Sequence, residues 1–296
     1  MLLPHQYNRF GNTEQNIKSN KTKYFLFLIS TLFLNAQNNE ERFWENKFHI
    51  PSGLGIHSDL AYGSYLVEVD SSEMNSAIDY SVLEATLGAS YVYGSWMWGV
   101  YGKFLLDEVT NNMYVVNTKN KLTNHAQIDK KEFALYTNYM LFQKEQSSWR
   151  LNLIYQEREL DAKERYRSFN DYQSSFYYHT KGLALSLVYA YKLNKKNSYF
   201  ISSGILYSRA KVKINETVNT LKQDAFITND SSATGLKVSI GYNYTISNHF
   251  ILSFRSDAWW LNFSKLKVNS EVGDVLPKAT LKEQIVSSYI GLTWRF

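Results

Sequence analysis

The sequence predicts an all-β protein, an antiparallel up-and-down β-barrel of about ten strands. Three observations predict it: a composition that favours strands, short polar breaks at a regular spacing, and strict alternation of apolar and polar residues between the breaks. Aromatic residues make up 16% of the chain, yet the mean hydropathy is -0.36. Such a mixture suits strands with one apolar and one polar face.

Short polar breaks divide the chain into five similar units. They lie at residues 94–95, 143–148, 194–197 and 247–248, so their centres are roughly 50 residues apart. Each unit is expected to hold one strand, a long polar segment and a returning strand, which makes ten strands joined alternately by short turns and long loops. The predicted long loops are residues 69–79, 111–127, 159–174, 215–231 and 269–280.

Period-two alternation is clearest in the predicted eighth strand. Leu236, Val238 and Ile240 alternate there with Lys237 and Ser239, as expected of a strand with two different faces and not of a helix. A soluble β-sandwich also alternates in this way and is the main structural alternative.

Aromatic residues at the strand ends favour a transmembrane barrel over a sandwich. They flank each short turn, whereas a sandwich core is usually aliphatic; examples are Tyr91, Trp98, Trp149, Tyr191 and Tyr242. Amphipathic rings at one depth are typical of a membrane interface. We therefore expect the apolar face of each strand to point towards lipid.

The N-terminal region has the order of a secretory signal peptide. Lys18, Lys21 and Lys23 precede an apolar stretch at residues 24–34, and Ala36 offers a small residue for cleavage. The stretch is too short to span a membrane as a helix. We expect residues 1–36 to be an N-terminal extension and signal peptide, 37–52 a periplasmic segment, and 53–296 the barrel.

The final strand carries a family resemblance. One face of this strand carries Ile290, Leu292, Trp294 and Phe296, the last of which is an aromatic residue at the end of the chain. This resembles the closing strand of Gram-negative outer-membrane β-barrel proteins. The resemblance covers the signal segment, the strands of 53–296 and this ending, and it assigns a superfamily without a subfamily.

The resemblance implies a multi-pass protein of the outer membrane. It implies that Leu292, Trp294 and Phe296 form the signal read by the barrel-assembly machinery. The expected partners are outer-membrane lipids and lipopolysaccharide, while the sequence indicates no particular partner for the extracellular loops.

Charge and composition exclude several other functions. The formal charge is +5, but residues 1–36 carry four positive charges and one negative, so their removal leaves +2. We therefore expect no nucleic-acid partner. The chain has no cysteine, which excludes thiol chemistry, and it shows no pattern for a metal or another cofactor.

An enzymatic role is the least favoured function. Only His125 and His179 fall near the predicted outer rim. Omptin-type proteases need an Asp two residues before the histidine, where Thr123 and Tyr177 stand, and lipid-acting barrels need a Ser two residues after it. Both patterns fail, so we predict no catalytic residues and no hydrolase activity of the omptin-like or lipid-modifying kind.

Inward positions of the predicted strands carry charges of both signs. Residues at equal distances on the two sides of a short turn are expected to pair. This places Glu84 diagonal to Lys103, and Lys237 diagonal to Asp257, within reach of long side chains. The predicted lumen-lining residues are Asp59, Glu84, Lys103, Arg150, Lys237, Arg255, Asp257 and Glu283.

Two functions fit such an interior. Small inward residues, including Gly88, Gly99 and Gly241, leave room for a narrow porin-like channel for small solutes or ions, or relieve crowding where strands curve. The alternative is a closed barrel that presents surface loops for adhesion or envelope integrity. The sequence favours the channel slightly.

Overall fold

The computed structural model describes residues 52–70, 75–117, 120–124, 126–165, 173–218, 221–226, 231–266, 269–270 and 279–296. The predicted signal peptide and periplasmic segment, apart from residue 52, lie outside these residues. Ten long strands are β1 (Gly53–Asp70), β2 (Asn75–Tyr93), β3 (Trp96–Asn117), β5 (Ala126–Gln143), β6 (Ser147–Arg165), β7 (Gln173–Lys192), β8 (Asn197–Val218), β10 (Ser231–Thr245), β11 (Phe250–Leu266) and β13 (Ala279–Arg295). Three short strands are β4 (Asn120–Asn124), β9 (Leu221–Phe226) and β12 (Asn269–Ser270).

The ten long strands form a closed antiparallel barrel. Each pairs with the next long strand along the chain, and β13 returns to pair with β1 from Arg295 opposite Gly55 to Thr280 opposite Asp70. Closure pairs the two edges that an open sheet would expose. The predicted fold class is confirmed. No helix in the described part of the chain is long and apolar enough to cross a membrane.

The four predicted short turns are confirmed, and they lie at one end of the barrel, here called the turn end. Strand pairing continues to Tyr93 opposite Trp96, so the first turn is only two residues long. Gly94 has a φ of 57°, a left-handed conformation that glycine adopts without steric cost and that tight hairpins require.

The opposite end, here called the loop end, differs from the prediction. The predicted long loops are largely strand: β1 and β2 pair as far as Asp70 opposite Asn75, and β6 and β7 as far as Arg165 opposite Gln173. Outward residues become polar beyond the apolar part of each strand, and this change of composition gave the sequence the appearance of a loop. The strands have 15 to 22 residues, whereas roughly 9–11 suffice to cross a membrane.

An apolar belt surrounds the outside of the barrel between two groups of aromatic side chains. The belt includes Ile56, Leu87, Leu135, Leu151, Leu185, Ile201, Ile240 and Ile290. The aromatic group towards the turn end includes Tyr91, Trp98, Tyr139, Tyr191, Tyr199 and Trp294, and the group towards the loop end includes Tyr62, Phe104, Phe133, Tyr207 and Trp260. This is the outer surface expected of a barrel that crosses a membrane.

Charged residues replace the belt abruptly at the loop end. On β7 the exposed series Leu187, Leu185 and Leu183 is followed by Lys181, and on β8 Tyr207 is followed by Arg209. On these two strands the boundary between the belt and the charged surface is therefore sharp, because the first charged residue is the next outward residue after the belt.

We expect Leu87→Arg to impair insertion of the barrel. Leu87 is 57% exposed in the middle of the belt, and a basic residue at the midplane of a membrane costs about 2 to 4 kcal/mol. Unfolding of the refolded protein in lipid vesicles measures this cost. Gln284→Arg is the matched control, because Gln284 is also exposed but lies at the loop-end limit of the belt, opposite Trp260. Equal stability of the two variants would contradict the assignment of the belt.

Candidate functional site: the barrel interior

A first charged cluster links the walls formed by β1, β2, β3 and β5. Glu84 is 1% exposed; it accepts a hydrogen bond from Tyr65 and forms an ion pair with Lys130. Lys103 Nζ lies 3.9 Å from Glu84 and 3.3 Å from Glu132. The strand register sets Glu84 opposite Leu105 and Thr86 opposite Lys103, so Glu84 and Lys103 are diagonal neighbours as predicted.

A second cluster crosses the whole interior. Arg158 on β6 donates two hydrogen bonds to Glu283 on β13, at 2.6 and 3.0 Å. Four long strands separate β6 from β13 in either direction around the barrel, so this ion pair spans the diameter of the interior. We call it the strut. Tyr178 donates a further hydrogen bond of 2.8 Å to Glu283, and the Arg158 guanidinium lies over the ring of Trp259.

Three more of the predicted interior charges, Lys237, Arg255 and Asp257, lie on the wall formed by β10 and β11. Lys237 lies over the Trp259 ring at 4.4 Å. Arg255 lies 3.3 Å from Asp257 and 4.1 Å from the centre of the Tyr289 ring. Tyr289 in turn accepts a hydrogen bond from Lys103, which connects this wall to the first cluster.

Asp59 and Arg150 lie nearer the turn end. A Cβ added at Gly291 would collide with the Asp59 carboxylate, so this side chain lies flat against the neighbouring strand. Arg150 donates a hydrogen bond of 3.4 Å to Ser148.

Between the clusters and the turn end, polar side chains lie among aromatic ones such as Tyr101 and Tyr136. Several of their buried oxygens have no hydrogen-bond partner in the protein, namely those of Thr86, Asn152, Gln156, Ser186 and Ser287. Buried polar atoms of this kind are normally hydrated. We therefore expect the turn-end half of the interior to contain water.

Glycines do not widen this interior, because larger side chains lie over them. A Cβ at Gly99 would collide with the ring of Tyr136, and one at Gly88 would collide with His57. Phe200 lies over Gly241 in the same way. The space that the sequence offered to a wet passage is therefore filled by the side chains of neighbouring strands.

An apolar layer lies between the clusters and the loop end. On several strands it begins at the next inward residue beyond the charge, as at Val82 beyond Glu84 and Leu281 beyond Glu283. The layer is formed by Tyr65, Val67, Ile78, Tyr80, Val82, Ile128, Leu160, Phe176, Val212, Leu261, Phe263 and Leu281. Its members are at most 5% exposed, so the described residues leave little open space there.

Sequence reasoning missed Lys130, Glu132 and Arg158, which complete the two clusters. The alternation of inward and outward residues along the strands could have identified them. Phe133 and Leu135 face outwards, so Glu132 and Lys130 had to face inwards. The predicted loop begins at Glu159, so Arg158 is the last residue of the predicted strand, whereas β6 continues to Arg165.

The predicted assembly residues lie at the closing seam of the barrel. Trp294 stacks on Phe250 with ring centres 6.0 Å apart, and the Phe296 ring lies 4.2 Å from that of Trp294. The Phe296 amide donates to the carbonyl oxygen of Leu54. Leu292 lies opposite Ser58 on β1. Their role as an assembly signal stays a prediction.

The described histidines are not at the loop end of the interior. His179 is on the outer surface, where Nε2 lies 2.8 Å from the Glu157 carboxylate. His57 packs over Gly88 inside, and His249 lies in a turn. His125 is outside the described residues. Within the described ranges, no group of three or more His, Cys, Asp or Glu side chains could hold a metal ion.

Comparison with solved structures gives a clear match to one fold. The outer membrane protease OmpT of Escherichia coli superposes with a TM-score of 0.62 at 10% identity, over 84% of this chain and 99% of that one. The chain has the outer-membrane β-barrel fold. At this identity the similarity concerns the fold and not the protease activity. No family model and no curated protein matches the sequence.

Two other outer-membrane barrels align over most of this chain with lower scores. The translocator domain of the autotransporter NalP from Neisseria meningitidis has a TM-score of 0.45 at 10% identity, covering 94% of this chain and 98% of that chain. The toluene transporter TbuX of Ralstonia pickettii has a TM-score of 0.36 at 9% identity, covering 83% and 90%.

We expect Arg158→Ala to destabilise the barrel by about 3 to 5 kcal/mol, because it leaves the Glu283 carboxylate buried without its partner. The double variant Arg158→Met/Glu283→Leu should recover most of the loss, since it removes both charges. The free energy of unfolding in urea measures both effects. Lys163→Ala is the control: its ion pair with Asp161 is exposed, and loss of such pairs has little effect. An Arg158→Ala barrel as stable as this control would contradict the strut.

Proposed function

We propose that this protein is a closed barrel of the outer membrane that holds its loop-end wall as a rigid scaffold at the cell surface. The proposal includes export through the N-terminal signal segment and insertion by the barrel-assembly machinery. It replaces the channel that the sequence slightly favoured.

The observation that carries this proposal is the strut between Arg158 and Glu283. A buried bidentate pair with a third donor from Tyr178 is held in one geometry. Because it joins opposite walls, a solute in the lumen would have to pass beside it or break it. Breaking it would leave two buried charges without partners, which is strongly unfavourable.

The apolar layer supports the same function. Water and ions cross a packed apolar region poorly, since no polar groups replace their hydration. Water expected in the turn-end half of the interior therefore does not pass beyond the clusters. A closed lumen leaves the outer surface and the loop end as the parts that can act on other molecules.

The length of the strands suits a scaffold. The paired strands continue beyond the belt at the loop end, where β8 also pairs with β9 and β9 with β12. Hydrogen-bonded strands hold a projecting surface more rigidly than unpaired loops would. This favours a presenting wall, for adhesion or envelope integrity.

Conductance in planar bilayers tests the proposal. We expect the refolded protein, without residues 1–36, to insert and to give no single-channel steps. Insertion is measured separately by heat modifiability, since a folded barrel migrates differently from the boiled protein. Steady steps from the unaltered protein would contradict the closed barrel and restore the channel.

Two control samples show whether the absence of single-channel steps means that the barrel is closed. A general porin in the same bilayers must give steps. The variant Arg158→Ala/Glu283→Ala/Phe176→Ala/Phe263→Ala lacks the strut and two large side chains of the apolar layer, and we expect it to conduct if it inserts.

A further inference from the structure

Lys237 on β10 is a buried cation without an ion pair. It faces the interior and is 7% exposed. Among the described residues its ammonium group forms no ion pair and no hydrogen bond, and its contact is the face of the Trp259 ring, 4.4 Å from the ring centre. Asp257, the carboxylate on the diagonal, lies 3.3 Å from Arg255 instead.

The Trp259 ring balances only part of this charge. Burying an ammonium group is strongly unfavourable unless other groups compensate it, and the face of an aromatic ring offers partial compensation. Arg158 lies over the same ring, but its charge is paired with Glu283. Lys237 is therefore left without a negative group of its own.

Small uncharged residues border Lys237 on the side away from Trp259. Lys237 is directly opposite Gly204 on β8, which is directly opposite Ser186 on β7. The Ser186 hydroxyl lies over Gly204, is buried, and has no hydrogen-bond partner among the described residues. The inward residues of this part of β7 and β8 include Gly182, Ala184, Ser186, Ser202 and Gly204. A hydroxyl donor thus faces Lys237 across a stretch of wall that carries no carboxylate.

The way from the turn end to this position is positively charged. Arg150 and Arg295 face inwards from opposite walls, and no described inward residue between Asp59 and the turn end is a carboxylate. The turns carry three lysines and one glutamate, namely Lys144, Glu145, Lys195 and Lys196. With the terminal carboxylate of Phe296 included, the sum stays positive. An entrance of one sign raises the local concentration of ions of the opposite sign.

We propose that the turn-end half of the interior binds one small monovalent anion, a halide or a carboxylate, between Lys237 and Ser186. Lys237 supplies a charge-assisted hydrogen bond and the Ser186 hydroxyl supplies a second. One negative charge matches the one cation without an ion pair, whereas a phosphate dianion would bring a second charge into a buried site. The anion occupies a dead end.

Entry from the turn end follows from the closure of the other end by the strut and the apolar layer. In this respect the site rests on the proposed closed barrel. It adds a ligand that a scaffold does not need.

The width of the chloride NMR signal tests the site on the refolded barrel in a non-ionic detergent. Exchange with a bound state broadens this signal, and we expect acetate to reverse the broadening. Inorganic phosphate at equal ionic strength should reverse it much less. Lys237→Met keeps the length of the side chain and removes the charge, so it should weaken chloride binding on the order of tenfold.

Lys163→Met is the matched control. It also removes one positive charge, but from an exposed ion pair with Asp161, and it should leave the broadening unchanged. Equal broadening by Lys237→Met and the unaltered protein would overturn the site, because it would place the chloride at the turn-end arginines. A folded barrel that causes no broadening would overturn it as well, since Lys237 would then be hydrated by water only.

Crystals of the unaltered protein grown in bromide give a measurement that needs no variant to fold. We expect a peak of anomalous scattering from bromide beside Lys237 Nζ, on the side of Ser186. A water molecule in that place would overturn the site.

Conductance separates this site from the closure. A barrel that conducts and holds bromide at Lys237 would overturn the closed barrel and support the site. A barrel that is silent in bilayers and holds no anion at Lys237 would overturn the site alone.

Discussion

The ion pair between Arg158 and Glu283 is the interaction on which the interior of this barrel depends. It joins β6 to β13 across the diameter, and in the first cluster Glu84 and Glu132 pair with Lys103 and Lys130. Desolvation makes such a pair costly unless its geometry and hydrogen bonds are complete. The bidentate contact and the Tyr178 hydroxyl supply three hydrogen bonds to the Glu283 carboxylate, while the Nε of Arg158 has no hydrogen-bond partner among the described residues.

The strut also divides the interior into two halves of different character. Towards the loop end it supports an apolar layer, in which Phe176 and Phe263 are almost fully buried. Towards the turn end it borders a region with buried oxygens that water can satisfy. A barrel of ten strands is close to the size at which side chains fill the lumen, so a few large residues at one level are enough to close it.

Alternation and turn chemistry made most of the fold predictable from the sequence. Leu236 and Lys237 take opposite faces because the strand period is two, and the diagonal contact of Glu84 and Lys103 follows from reflection about a two-residue turn. Reflection relates only neighbouring strands, so the strut between opposite walls could not be found in this way. The sequence could not show whether the space above Gly99 is open either, because that depends on Tyr136 of the next long strand, which fills it. The loop-end halves of the strands were mistaken for loops because outward residues turn polar where the wall leaves the apolar belt.

Accessibility of a single cysteine tests the closure most directly. The chain has no cysteine of its own, so Ser90→Cys introduces one reactive group, inside the turn-end half where Ser90 faces Gly55. A membrane-impermeant thiol reagent is added to one side or the other of vesicles that hold the barrel in one orientation. We expect labelling from the turn-end side only. Labelling at a comparable rate from the loop-end side would show an open path past Arg158 and Glu283 and would contradict the closed barrel.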